Sequence, residues 1–249
     1  MNILITGASS GLGAALALAY SEEGNRLFLS GRDKARLEAV AREARAKGAM
    51  TESTVMDVTN AWNMEDWIKQ IDEITPLDLV IANAGVSAGT GKGGERKSQA
   101  LEIFDTNLYG VLNTIFPILL RMKARGMGQI ALMSSMAGFR GLAGAPAYSA
   151  SKAAVRVYGE SLRGELAAQG IKVNVICPGF VKTPMTDQNG FKMPFLMAPE
   201  KAARIIKRGL AANKGRITFP WRLAAIVWVL AALPTSWTDS LFQRLPRKP

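Results

Sequence analysis

The chain has 249 residues, with 31 Lys and Arg against 20 Asp and Glu, a net charge of +11, and hydrophobic residues make up 48% of it. That length suits one large α/β domain with an ample core, and the absence of histidine excludes histidine-based catalysis and ordinary zinc sites, so no metal is expected. A lone cysteine, Cys177, excludes an intrachain disulfide and fits a reducing compartment, and the scattered basic residues carry no nucleic-acid motif.

In chain order, apolar runs at 2–6, 25–30, 50–56, 78–82, 128–134, 171–177 and 215–219 alternate with helical stretches at about 11–23, 33–47, 60–73, 96–125, 147–169 and 198–212. Such βα alternation predicts an α/β fold: a Rossmann-type doubly wound parallel sheet of about seven strands, flanked by helices. Residues 1–218 read as one domain and 219–249 as an apolar helical extension with a basic tail. The first strand begins within two residues of the start, which leaves no room for a targeting segment and predicts a cytoplasmic location.

The run Asn2-Ile3-Leu4-Ile5 ends in Thr6-Gly7-Ala8-Ser9-Ser10-Gly11-Leu12-Gly13, and helix formers follow to Ala19. Strand, tight glycine turn and helix bring backbone N–H groups and the positive end of a helix dipole to one spot, which suits a pyrophosphate. Downstream, Tyr148 and Lys152 in Tyr148-Ser-Ala-Ser-Lys152 are one helical turn apart, about 6 Å on one face. A free phenol with a pKa of about 10 is a poor proton shuttle at pH 7, and an adjacent ammonium favours its ionised form. This predicts that Lys152 draws the Tyr148 pKa down. Taken with the glycine turn, the pair points to hydride transfer.

These motifs resemble the short-chain dehydrogenase/reductase family over about residues 1–218. Thr6 to Gly13, including Ser9, Ser10 and Leu12, matches the family's cofactor turn; Asp57-Val58 matches its adenine-side pair; Asn83-Ala84-Gly85 matches its NAG motif. Pro178-Gly179, Val181 and Thr183 match the PGxxxT segment at the nicotinamide end. The resemblance implies a catalytic set of Asn107, Ser135, Tyr148 and Lys152: Asn107 holds a water of the proton relay, Ser135 orients the substrate oxygen, Tyr148 is the acid/base, and Lys152 also binds the nicotinamide ribose. On its own, Asn107 is equally an asparagine satisfying backbone groups where a helix bends. The resemblance further implies strand order 3-2-1-4-5-6-7 and a homodimer or homotetramer through the helices at about 96–125 and 147–169.

Cofactor choice turns on the end of the second strand, where Gly31 stands in place of the acid that grips a ribose diol. Arg32 follows and can hold a 2′-phosphate, which favours NADP(H). Asp33 keeps NAD(H) open if the strand ends later. Glycines at 85, 89, 91, 93 and 94 make the next loop the most flexible-looking segment of the chain.

A lid at about 183–200 contains Met185, Phe191, Met193, Phe195, Leu196 and Met197; if these face inward, an apolar carbonyl compound or secondary alcohol is the expected substrate. The stretch Leu223 to Leu233 is apolar on every side, and at about 16 Å it is too short to span a bilayer. Either it is buried against the core, over the substrate cleft or in a subunit interface, or 221–248 lies at a membrane surface with Trp221, Trp228 and Trp237 at headgroup level and Arg244, Arg247 and Lys248 near anionic lipid. The second arrangement places the protein peripherally at the inner face of the membrane. Two functions other than an enzyme stay open: an NADPH-binding sensing module without turnover, and a membrane-surface interaction protein built on this helix.

Overall fold

Parallel strands covered on both faces read as continuous apolar runs, and the strands here do. In β1 (Asn2–Ile5), Ile3, Leu4 and Ile5 are all fully buried. After it come α1 (Gly11–Ala19), β2 (Arg26–Gly31), α2 (Lys34–Ala46), β3 (Met50–Val55), α3 (Ala61–Ile74) and β4 (Leu79–Ala82). The chain continues through α4 (Lys97–Phe104), α5 (Gly110–Arg125), β5 (Gly128–Met133), α6 (Pro146–Leu166), β6 (Ile171–Pro178), α7 (Pro184–Asp187), α8 (Pro199–Ala211) and β7 (Arg216–Phe219). It closes with α9 (Trp221–Ala232) and α10 (Thr235–Gln243). This computed structural model describes residues 1–88, 90 and 93–243, without the side chains of 241–243. Gly89, Gly91 and the basic tail at 244–249 lie outside the described residues.

All seven strands pair in parallel in the order β3-β2-β1-β4-β5-β6-β7. Successive side chains of a strand point to opposite faces, so each strand feeds two cores. Ile3, Ile5, Leu27 and Leu29 meet Leu16, Ala17, Ile206 and Leu210 of α1 and α8 on one face. Leu4, Val80, Ile130 and Leu132 meet Ile68, Ile115, Val155 and Leu162 of α3, α5 and α6 on the other. The reversal of strand order beside β1 and β4 opens a crevice at the carboxyl ends of the strands, where ligands bind in this architecture.

The structure departs from the sequence expectations in two places. The helix expected at 96–125 is interrupted by a wide π turn at Asp105–Tyr109, which swings Asn107 into the interior. By length and composition alone the Lys97–Arg125 stretch passes as a membrane span, but half of its apolar window is buried in this fold. The second departure is α9. Burial against the core is contradicted within this chain, since no α9 residue is buried and Trp221 and Trp228 are 72% and 63% exposed. With apolar side chains all round, the helix packs among the described residues against β7, the turn after β5 and Gly179 after β6, and much of its surface stays uncovered.

Candidate functional site

The glycine turn is built by close approach. Gly7 adopts a left-handed φ of 67°, and a Cβ there would lie 2.8 Å from Ala84 Cα. At Gly13 a Cβ would lie 2.1 Å from the Gly7 carbonyl oxygen, so α1 can start against the end of β1 only with glycine at both positions. The Thr6 hydroxyl accepts from the Asn83 and Ala84 N–H groups at 3.1 and 3.2 Å, and Asn83 Nδ2 donates to the Thr6 carbonyl at 2.9 Å, which ties the ends of β1 and β4 together. The N-cap of α1, Ser10, makes no side-chain capping bond and no acid stands in the first turn. A helix end with open donors therefore faces the crevice.

The crevice is a cleft of about 320 Å³ that gathers nearly every residue singled out from the sequence. Gly7, Ser9, Ser10, Gly11, Leu12 and Gly13 line it after β1; Arg32 lines it after β2; Asp57 and Val58 after β3; Asn83, Ala84 and Gly85 after β4. Ser135, Tyr148 and Lys152 come from β5 and α6, and Pro178, Gly179, Val181 and Thr183 from beyond β6. Asn107 is the exception: fully buried, it lies behind the cleft wall. Its Oδ1 accepts from the Val86 N–H at 2.7 Å and its Nδ2 donates to the Val86 carbonyl at 2.9 Å and to Ser151 Oγ at 3.2 Å. In this arrangement the carboxamide satisfies backbone groups beside the bend. A Cβ on Gly85 would sit 3.1 Å from Asn107 Oδ1 and 3.3 Å from Lys152 Nζ, so these two side chains flank one glycine.

Tyr148 and Lys152 project from the first turns of α6, with Lys152 Nζ 5.9 Å from the centre of the Tyr148 ring. Lys152 is buried, donates to the Met133 carbonyl at 2.9 Å, and its pKa is pushed down by burial to about 8. Ser135 caps the short turn Met136–Gly138 by accepting from the Ala137 N–H at 3.1 Å, and its hydroxyl faces the same cleft as Tyr148. Burial raises the Tyr148 pKa, and the nearby Ser135 hydroxyl offsets this only in part. The direction is opposite to the one expected from the sequence: removal of the hydroxyl from water outweighs help to its anion. Part of the tyrosine's surface still faces the open cleft.

At the other end of the cleft, Arg32 is 61% exposed and 4.0 Å from the Asp57 carboxylate. Asp33 is committed elsewhere: it caps α2 by accepting from the Arg36 N–H at 3.0 Å and from Arg36 Nε at 2.7 Å, bonds that hold its pKa down. Arg36 also lines the cleft and was not singled out from the sequence, although its place four residues after Arg32 at a helix start was a usable sign. Of the six apolar lid residues singled out from the sequence only Met185 lines the cleft, beside Thr183, Pro184 and Thr186; Met197 is buried, and Phe195 and Leu196 point outward, 46% and 45% exposed. Phe191 instead meets Phe180 edge to face at 6.2 Å.

A doubly wound sheet whose glycine turn opens onto a half-buried Tyr148 one turn from a buried Lys152 is the frame of a dinucleotide-dependent α/β enzyme. The chain belongs to the short-chain dehydrogenase family, whose model matches residues 1–193. An uncharacterized oxidoreductase of Myxococcus xanthus is 42% identical over 243 residues, covering 97% of this chain and 96% of the relative. A solved short-chain dehydrogenase from Sphingobium yanoikuyae in complex with NADPH superposes with a TM-score of 0.83 at 25% identity, covering 98% of this chain and 96% of that one. A variant of actinorhodin polyketide ketoreductase with NADPH superposes with a TM-score of 0.79 at 28% identity, covering 88% and 95%.

Proposed function

We propose that the protein is an NADP(H)-dependent oxidoreductase that interconverts an apolar carbonyl compound and its secondary alcohol. The observation that carries this reading is that Tyr148 and Ser135 line the same cleft, with Tyr148 one helical turn from a buried Lys152 that has no ion-pair partner among the described residues. A binding module has no use for a lysine held in the interior at that cost. The cofactor fits the residues present: open donors of α1 suit a pyrophosphate, and Arg32 with Arg36 suits a 2′-phosphate better than a ribose diol. NAD(H) is the runner-up, disfavoured because Asp33 is engaged by α2 and Arg36.

When bound, the nicotinamide supplies or accepts the hydride. Tyr148, kept protonated by burial, donates its proton to the carbonyl oxygen, and the Ser135 hydroxyl donates a second hydrogen bond that orients it. Lys152 holds a positive charge beside the phenol at neutral pH and would grip the nicotinamide ribose, while Asn107 fixes the wall formed by Val86. Exposed apolar side chains on α5 and α6, Leu120 at 74%, Phe116 at 54% and Val157 at 51%, support a homodimer or homotetramer through these helices; a monomer by light scattering would remove that part. The Tyr148→Phe variant is expected to lose at least about 100-fold in ketone-dependent NADPH oxidation while keeping its NADPH affinity. Retained turnover would overturn the assignment.

A further inference from the structure

Beside the cleft lies a second cavity of about 250 Å³, between the turn after β5 and α9. Its walls are Met136, Phe139, Ala224, Ala225, Val227 and Trp228, with Thr218 and Arg216 as its polar members. Arg216 donates to Glu160 Oε1 from Nε at 2.9 Å and lies 5.2 Å over the Phe139 ring, while Arg156 pairs with the same carboxylate at 3.1 Å, so one guanidinium charge is left over at that end of the slot. Away from Arg216 the lining is apolar except for Thr218, so over most of the slot a polar ligand finds little to bond.

Its position ties it to the reaction centre. Met136, which is buried, directly follows Ser135, so one residue faces the cleft and the next faces the slot. Gly179 lines the cleft, and a Cβ built on it would fall 2.9 Å from Leu223 Cδ2 and 3.5 Å from Met136 Sδ. The wall at this point, where the backbone has no side chain, is made by Pro220, 3.2 Å from the same Cβ, together with Met136 and Leu223. Met136 and Leu223 are flexible, unbranched or γ-branched chains that shift at little cost, methionine above all.

We propose that this slot receives the hydrocarbon chain of the substrate, so that α9 is the outer wall of an acyl or alkyl subsite continuous with the Ser135–Tyr148 centre. The inference rests on the carbonyl-reductase reading and deepens it. It also accounts for an apolar helix that the core does not bury: one side lines the slot, and Trp228, 63% exposed, stands at its rim.

The test compares 2-butanone with 2-octanone on the full chain with NADPH, by turnover and, separately, by calorimetric binding. Each buried methylene is worth up to about four-fold, so 2-octanone is expected to exceed 2-butanone at least ten-fold in kcat/KM and in affinity. Ala224→Phe, which fills the slot, is expected to reduce that ratio at least ten-fold. Trp228→Ala, at an exposed position that folds without difficulty, is expected to reduce it in the same direction. Turnover of both ketones with equal kcat/KM, or a preference that neither variant alters, overturns the slot and leaves the reductase standing. Turnover of neither ketone counts against the reductase alone; the slot then stands if 2-octanone binding is lost in Ala224→Phe and falls if the two ketones bind alike.

Discussion

Lys152 donates to the Met133 carbonyl at 2.9 Å from a position only 3% exposed, and burial lowers its pKa from 10.5 to about 8. At pH 7 the ammonium form still predominates; above pH 8 the side chain is neutral. Tyr148 moves the other way, so it remains a proton donor throughout that window. The kcat/KM for carbonyl reduction is therefore expected to fall as pH rises through about 8, where the charge beside the phenol is lost. Initial rates between pH 6 and 10 check this, since kcat/KM reports groups of the free enzyme. A profile flat through pH 9, or a Lys152→Met variant with unchanged rates, would contradict it.

The two arginines at the entrance of α2 make a separable prediction about cofactor choice. Hydrogen bonds to a charged group are worth about 1.5–3 kcal/mol each, so Arg32→Ala is expected to weaken NADPH at least ten-fold and leave NADH nearly unchanged. Arg36→Ala should act in the same direction. It also releases Asp33 from the Arg36 Nε bond at 2.7 Å while the cap on α2 remains, and a partial gain for NADH should follow. Fluorescence titration of both nucleotides against the single and double variants measures the ratio. An NADPH affinity untouched by either change would leave the 2′-phosphate without its grip.

Much of this site was legible because its parts are local. The glycine turn, the Tyr-Lys turn and the apolar strands each occupy a few consecutive residues, and the strand run Val173–Cys177 signals burial on both faces without reference to any other part of the chain. What stayed hidden depends on register and long-range placement. The π turn at Asp105–Tyr109 is a change in hydrogen-bond spacing, not in composition, and just after it the helix passes Val58 with almost no clearance, since a Cβ at Gly110 would come within 2.5 Å of Val58 Cγ2. The Tyr148 pKa took the direction set by burial, which the spacing to Lys152 does not report. Nor does uniform apolarity say which side of α9 is covered, and α10 has no signal comparable to the helices of the sheet.

Gly13 offers a test of the turn itself. A Cβ there would meet the Gly7 carbonyl oxygen at 2.1 Å and Asn83 Nδ2 at 2.5 Å, both part of the bridge between β1 and β4. Gly13→Ala must push α1 away from the sheet, at a cost of about 1–3 kcal/mol for overpacking, and the displaced helix end should weaken NADPH binding more than ten-fold. Thermal melting and nucleotide titration together read this. Gly24→Ala is a useful contrast for space alone, because nothing lies within 4 Å of a Cβ there, although its φ of 82° makes that change a strained one as well.

Asp72 anchors the opposite edge of the sheet and predicts a change in stability separable from the chemistry. Only 4% exposed, it accepts from the Leu77 N–H at 2.8 Å, from Arg121 Nε at 2.8 Å and from Arg125 Nη1 at 2.9 and 2.8 Å. Burial alone would raise its pKa, but the Arg125, Leu77 and Arg121 bonds outweigh it and the net shift is downward. Leu77 leads into the amino end of β4, whereas the cleft opens at the carboxyl ends, so Asp72→Asn should spare turnover per folded molecule. Removing one partner of a buried ion pair costs about 3–5 kcal/mol, and each kcal/mol lowers Tm by roughly 2–4 °C in a chain of this size. Because the folded pKa lies below the unfolded value, the stabilisation is full above about pH 4 and is lost as pH falls through the folded value. The Tm gap between the natural chain and Asp72→Asn should therefore be wide at pH 7 and shrink on acidification; equal melting temperatures at pH 7 would show that the two guanidiniums find other partners.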